Sequence, residues 1–406
     1  MSRRSFLRSS ALLALAAPVL PSLAACGSSS KKGSSVITIA SPEKPVKWPI
    51  ATDNQPIAEG MSPERNATLT LYNYADYIDP EALKSFEEKY KEYGVKVEVS
   101  TFNDQDEALA KLRARGSTFD IYFPSYDILG KLVTAGLVRP LTHAYIPNIS
   151  NVWPEFQNPF YDQEWRYSLP YTVYTTGIGW RTDKISEDVG ALENPYDVFW
   201  DTRYTGQMAI LDDYREAICM VLLRNGIEDL NTGDPKQLET AKSQLLELTK
   251  TSKPKVTITG YTDIPEGRLG LSQAWSGDLI NAVSYLPDGQ DPGILRYWFP
   301  ESGKGSVNND LMVLLRSSRY PVMSHLFLDH MLDFDVAMGN FGAIGYQPPQ
   351  TKIVPENLVQ DEFIPENLAS TIVLPKYFNE GFRELELPPE TDAAWHAIWQ
   401  QFKAGA

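Results

Sequence analysis

From Thr68 onward the chain keeps changing its hydrophobic period, from the two-residue alternation of a strand to the spacing of an amphipathic helix and back. Residues 69–74 read as a strand. Asp79-Pro80 then opens a helix, with a carboxylate to cap the free N–H groups and a proline at the first helical position, and Gly94 ends it. Residues 95–99 alternate as a half-buried strand, a second helix runs over about 106–115 to Gly116, and 119–123 form an apolar strand. A third helix is expected over 126–135, stopped by Gly136. Repeated strand–helix–strand units of this kind specify an α/β fold with mostly parallel sheets.

The same alternation resumes after Tyr171. Asp234-Pro235 starts a helix bearing Leu238, Leu245 and Leu246, and residues 324–338 read as one more helix. Near the end, Trp395, Ile398, Trp399 and Phe402 lie at i, i+3, i+4 and i+7, one buried helical stripe. Cys219 sits in the apolar run 217–223 and is expected to be a buried thiol. With Cys26 otherwise committed, no intrachain disulfide is expected.

What precedes Thr68 is different in kind. Arg3-Arg4 stand before a short apolar run at 11–20, too short to span a bilayer and shaped as a twin-arginine export signal. Leu23-Ala24-Ala25-Cys26 follows, which resembles the lipobox of bacterial lipoproteins and makes Cys26 the expected lipid anchor. Residues 1–25 are therefore read as a signal peptide, and 26–66 as a tether followed by a proline-rich strap. The strap, residues 42–65, is expected to lie on the domain and to be held by Trp48. Loss of residues 1–25, which carry Arg3, Arg4 and Arg8 and no acid, would take the net charge from −15 to −18. So acidic a chain argues against nucleic acid as a partner and is compatible with a cationic one.

Enzyme signatures are missing. There is no G-x-S-x-G, P-loop or dinucleotide fingerprint between a strand and a helix. The four histidines, His143, His325, His330 and His396, do not share a metal-binding spacing. No catalytic residue, metal or other cofactor is expected.

Several segments carry a resemblance. Residues 71–78 (L-Y-N-Y-A-D-Y-I), 119–125 (F-D-I-Y-F-P-S), 211–216 (L-D-D-Y-R-E), 275–278 (W-S-G-D), Asn309-Asp310 and 345–348 (G-Y-Q-P) stand in the order and at the spacing of spermidine/putrescine-binding proteins. The chain resembles that family from about Thr68 to its C-terminus. The resemblance implies a two-lobed periplasmic-binding-protein-like fold, each lobe a mostly parallel sheet flanked by helices. Chain crossings near 173–175, 310 and 354–357 would form a hinge. Lobe one would comprise 67–173 plus 311–354, and lobe two 176–309 plus 358–406. It also implies a monomeric receptor that binds a polyamine between its lobes and delivers it to the membrane permease of an ABC importer.

A polyamine site needs carboxylates to accept charge-assisted hydrogen bonds and aromatic faces to pack on methylenes and attract cations. The positions matching the family pattern supply both. Asp76, Asp213, Glu216, Asp278 and Asp310 are the carboxylates, Tyr74, Tyr77, Trp275 and Tyr346 the aromatics, and Ser125 a hydroxyl acceptor. Each has a structural alternative. Asp213 and Glu216 have capping-box spacing, Ser125 stands before a helix, Tyr77 and Trp275 suit a core, Asp278 a helix cap, Asp76 and Asp310 solvated ends, and Tyr346 a brace for Pro348-Pro349. Three positions depart from the pattern: Tyr74 where tryptophan is common, Asn308 where an aromatic is frequent, and Asp127 where a tyrosine often lies. These leave the ligand open between a polyamine and another organic cation or amino-acid derivative. A surface glycoside hydrolase and a non-transporting sensor are the readings from other classes.

Overall fold

A computed structural model describes residues 38–114, 118–355 and 357–405. Cys26 and the residues expected to form the export signal and tether, up to residue 37, lie outside the described residues, as does Gly116.

Among the described residues nine strands form one sheet. They are β1 (Thr68–Tyr74), β2 (Lys96–Phe102), β3 (Ile121–Tyr122), β4 (Ser168–Arg181), β5 (Met208–Ile210), β6 (Lys255–Val256), β7 (Leu271–Trp275), β8 (Leu295–Trp298) and β9 (Ser306–Leu314). The order is β2-β1-β3-β9-β4-β7-β5-β6, with β8 also on β4. Parallel pairing is confined to the two ends, β2-β1-β3 and β7-β5-β6. Between them β9 and β4 run antiparallel, with Ser168–Thr176 of β4 on β9 and Thr176–Trp180 on β7. The long strand β4 thus links the two parallel arrays, through β9 on one side and directly to β7 on the other, and every one of its 14 residues is buried.

Local chemistry explains most element ends. Asp79 accepts from the Glu81 N–H at 2.9 Å and starts the helix Pro80–Lys89. The next helix, Gln105–Arg113, begins earlier than expected because Asp104 accepts from Glu107 N at 2.8 Å. The strand expected at 119–123 shrinks to Ile121–Tyr122, because the Asp120 carboxylate accepts from the Thr70 N–H, the Ser318 hydroxyl and the Arg319 backbone. The single helix expected at 324–338 is two, Pro321–Met331 and Phe334–Ile344. Asp333 divides them: it leaves helical geometry (φ −62°, ψ 137°) and its carboxylate caps Asp335 and Val336. Periodicity alone missed this because both faces of Pro321–Met331 are largely buried.

The C-terminal stripe behaves as expected. Trp395, Ile398, Trp399 and Phe402 pack in one cluster with Ile218, Met220, Leu238 and Leu245. Cys219 is buried in the same cluster.

The strap is part of the folded unit. Trp48 is buried, donates from its indole nitrogen to the Tyr161 carbonyl at 2.7 Å, and shares a cluster with Tyr126, Leu129 and Tyr161. The Val46 N–H donates to the Phe160 carbonyl at 2.8 Å, and Asn54 donates to the Val138 carbonyl at 2.8 Å. Glu64 caps the helix Pro321–Met331 from outside, accepting from the N–H groups of Val322 and Met323 at 3.0 and 2.8 Å. Replacing Trp48 by alanine is expected to cost about 3–5 kcal/mol of stability, read as a lower urea midpoint. An unchanged midpoint would mean that the strap contributes nothing to the fold.

Candidate functional site

The carboxylates and aromatic rings converge where β4, β9 and β7 meet the start of two helices. Asp310 on β9 is buried and saturated. It accepts from the Tyr77 hydroxyl at 2.8 Å, from the Tyr174 hydroxyl at 3.4 Å and from the Ser125 hydroxyl. Burial nevertheless raises its pKa to about 6. Ser125 makes no cap to the helical turn that follows it, so its hydroxyl serves Asp310. Tyr77 is also 2.6 Å from the Thr172 hydroxyl.

Asp278 lies in the first turn of the helix Ser276–Ala282, straight after β7. One of its oxygens accepts from the Tyr346 hydroxyl at 2.7 Å; the other is buried with no hydrogen-bond partner among the described residues. Burial lifts its pKa to about 7. Tyr346 is held edge-to-face against Tyr77, ring centroids 4.8 Å apart, and packs over Gly277, where a Cβ would sit 2.4 Å from the ring. Gly277 is therefore the residue that lets Tyr346 lie on this helix.

Asp213 and Glu216 share a capping-box spacing but only half a box. Asp213 is the N-cap, accepting from the N–H groups of Arg215 and Glu216 at 2.8 and 3.2 Å. Glu216 turns inward instead of returning to the cap. Its Oε1 accepts from the Trp275 indole at 2.7 Å and the Thr176 hydroxyl at 2.9 Å. Its Oε2 is buried with no partner among the described residues. Burial first, and the charge of Glu384 second, hold the Glu216 pKa well above the usual carboxylate range.

Two expected residues sit at the margin. Tyr74 is half-buried, accepts from Gln105 at 2.5 Å and stands edge-on to Tyr77 at 5.7 Å. Asp76 is exposed, in a left-handed conformation (φ 52°), and accepts from the Tyr261 hydroxyl at 3.1 Å.

Sequence reasoning missed Tyr174 and Glu384. Tyr174 joins Asp310 to the rings of Trp275 and Tyr346, at 6.4 and 6.0 Å. Glu384 is buried, and burial raises its pKa. Its only signal was the alternation of Arg383-Glu384-Leu385-Glu386, which reads equally well as an exposed edge. Asn308, expected to weaken an aromatic wall, donates instead to Glu384 at 3.4 Å and to the Ser306 hydroxyl at 3.0 Å.

The whole is a set of buried acids among aromatic rings, and among the described residues that line it no covalent nucleophile is paired to a base. Arg215, the guanidinium nearest these acids in charge effect, spends its hydrogen bonds on the Leu385 and Leu230 carbonyls and on Asn231. Such a site can bind a cation of two or more charges and hold its apolar spacer.

The family model for the bacterial extracellular solute-binding protein matches residues 81–365. The chain is 27% identical to spermidine/putrescine-binding periplasmic protein 1 of Haemophilus influenzae, over 74% of this chain and 81% of that protein. It is 26% identical to the spermidine/putrescine-binding periplasmic protein of Salmonella typhimurium, over 86% and 96%. Among solved structures, the spermidine/putrescine ABC transporter substrate-binding protein of Streptococcus pneumoniae superposes with a TM-score of 0.66 at 26% identity, over 84% of this chain and 99% of that one. The fold is that of the periplasmic binding proteins, and the chain belongs to the bacterial extracellular solute-binding proteins, receptors rather than enzymes.

Proposed function

We propose that this chain is a lipid-anchored receptor on the outer face of the cell membrane. It binds a polyamine of the putrescine or spermidine type between its lobes and hands it to the permease of an ABC importer. The observation that carries the reading is the pair of buried, unpartnered carboxylate oxygens on Glu216 and Asp278, placed on either side of the rings of Trp275, Tyr174 and Tyr346. A buried carboxylate without a partner is costly, and a polycation with methylene spacers satisfies acids and rings together. The names of the relatives point to the same ligand class. Lobe one is taken as 67–173 plus 311–354 and lobe two as 176–309 plus 358–406. On that division the hinge lies in the middle of β4 and β9 and near 354–357. Asp310, Tyr77, Tyr74, Asp76 and Ser125 line the first-lobe and hinge side, and Asp213, Glu216, Trp275 and Asp278 the second; Tyr346 faces Asp278 from the first.

The mechanism follows from differential contact. A solute that touches both halves at once stabilises the closed arrangement, and only contacts made there shift the equilibrium. The exposed bond between Tyr261 and Asp76 joins the two sides at the rim and would be remade at each closure.

Titration calorimetry on protein beginning at Gly27, against putrescine, spermidine and spermine with a neutral sugar as control, is expected to give one-to-one binding of at least one polyamine. Asp278→Asn should weaken it by roughly ten- to hundredfold, the loss of one charge-assisted bond. No heat with any amine from folded, ligand-free protein would refute the polyamine assignment.

Acid should oppose binding. Asp278 and Asp310 titrate near 7 and 6 in the folded protein, above the ordinary aspartate range. Their raised values favour the folded ligand-free chain at low pH, and that contribution is lost as pH rises through about 7. A cation requires the charged forms, so the ligand-induced rise in melting temperature is expected to grow from pH 5 to pH 8. A flat or inverted profile would exclude these carboxylates from the site.

The anchor is tested separately. Metabolic labelling with a radioactive fatty acid should mark the wild-type protein and not Cys26→Ser, which should appear in the soluble exported fraction. Equal labelling of the two would place the lipid elsewhere.

A further inference from the structure

Glu384 lies beyond the matched span of 81–365, in a segment that the resemblance did not reach residue by residue. It is 7% exposed, and the strand register brings it to Glu216. Thr176 of β4 and Ser306 of β9 are directly paired neighbours, a relationship that sets their Cβ atoms about 4.5–5.5 Å apart. The Thr176 hydroxyl donates to Glu216 at 2.9 Å, and the Ser306 hydroxyl donates to Glu384 at 3.1 Å. Two facing hydroxyls thus hold two facing carboxylates. Asn308, two residues along β9, fixes Glu384 further: its amide donates to the carboxylate at 3.4 Å and its carbonyl accepts from the Glu384 N–H at 3.3 Å.

Neither carboxylate has an ion-pair partner among the described residues. The buried Arg215 lowers the Glu384 pKa through its charge but forms no ion pair with it, its hydrogen bonds going to the Leu385 and Leu230 carbonyls and to Asn231; Arg383 donates to Asn309 at 2.6 Å and lies over the Tyr126 ring. Glu216, 4% exposed, keeps one oxygen with no hydrogen-bond partner among the described residues. Two buried acids this close repel unless a proton or a cation sits between them. A primary ammonium, with three N–H donors and a small radius, matches that need; an aromatic wall at 308 would have offered only the face of a ring.

We propose that Glu384, paired with Glu216 and positioned by Ser306 and Asn308, is a specificity-determining carboxylate that holds one terminal primary ammonium of the solute. The proposal rests on the polyamine reading and refines it. The departure at Asn308 is then not a missing wall but the support of an added charge.

The test is Glu384→Gln in the full-length mature protein, titrated with putrescine and with butylamine, which has the same carbon chain and one ammonium. Glutamine keeps the acceptor that Ser306 and Asn308 use and removes the charge. Wild type should prefer putrescine; Glu384→Gln should lose roughly ten- to hundredfold in putrescine affinity and little for butylamine, so the preference shrinks. Wild-type affinity and preference in Glu384→Gln would overturn the assignment and leave the receptor reading intact. Failure of wild type to bind any amine would overturn the receptor reading, and the assignment with it. If Glu384→Gln melts below the assay temperature, Ser306→Ala, which frees the Glu384 carboxylate from its hydroxyl, should lower the putrescine preference; an unchanged preference there overturns the proposal equally.

Discussion

Desolvated negative charge governs this molecule. Glu216, Asp278, Asp310 and Glu384 are each less than 9% exposed, and among the described residues none forms an ion pair. Moving a carboxylate from water into such surroundings costs several kcal/mol unless hydrogen bonds replace its hydration. The surrounding residues are arranged around that cost. Tyrosine hydroxyls donate to Asp310 and Asp278, an indole and a threonine to Glu216, a serine and an amide to Glu384. These donors are neutral, so they orient the acids without cancelling their charge. Among the described residues the buried Arg215 guanidinium is the positive charge that acts on Glu384, and it does so without forming an ion pair with it.

This explains why strand topology matters to recognition. Thr172, Tyr174 and Thr176 alternate along one face of β4, and Ser306, Asn308 and Asp310 along one face of β9. The antiparallel register matches the two triplets residue for residue, Thr172 to Asp310, Tyr174 to Asn308 and Thr176 to Ser306. A one-residue slip of either strand would turn its three side chains to the other face and break the match. The polar floor is a property of the pairing, and the aromatic and acidic walls are delivered to it by the helix starts at Tyr214 and Ser276.

The sequence was most legible where a local rule decides the outcome. Asp79-Pro80, Asp234-Pro235 and Gly136 punctuate the structure as read, and the stripe from Trp395 to Phe402 is buried. It was least legible where burial on several sides erases periodicity, as in Pro321–Met331, or where a side chain competes for the backbone, as Asp120 and Asp333 do. The candidate site divides in the same way. Motif residues such as Trp275, Asp278 and Asp310 could be picked out because their order and spacing are distinctive. Glu384 could not, because nothing near it in sequence reveals that Ser306, 78 positions away, is its partner. Asn308 was read as a deficit for the same reason: its role appears only when β9 and the 382–386 segment are side by side.

The wholly buried β4 has a consequence for how the lobes come apart. A strand shared by two halves, with neighbours on each side along its length, cannot lose one half without uncovering residues that the other half packs against. Independent melting of the lobes would expose Val173 or Ile178, both at most 1% accessible, to water while the rest stayed folded. That penalty couples the two ends of the sheet into a single cooperative unit. Amides in the middle of β4 should accordingly belong to the slowest-exchanging class of the protein.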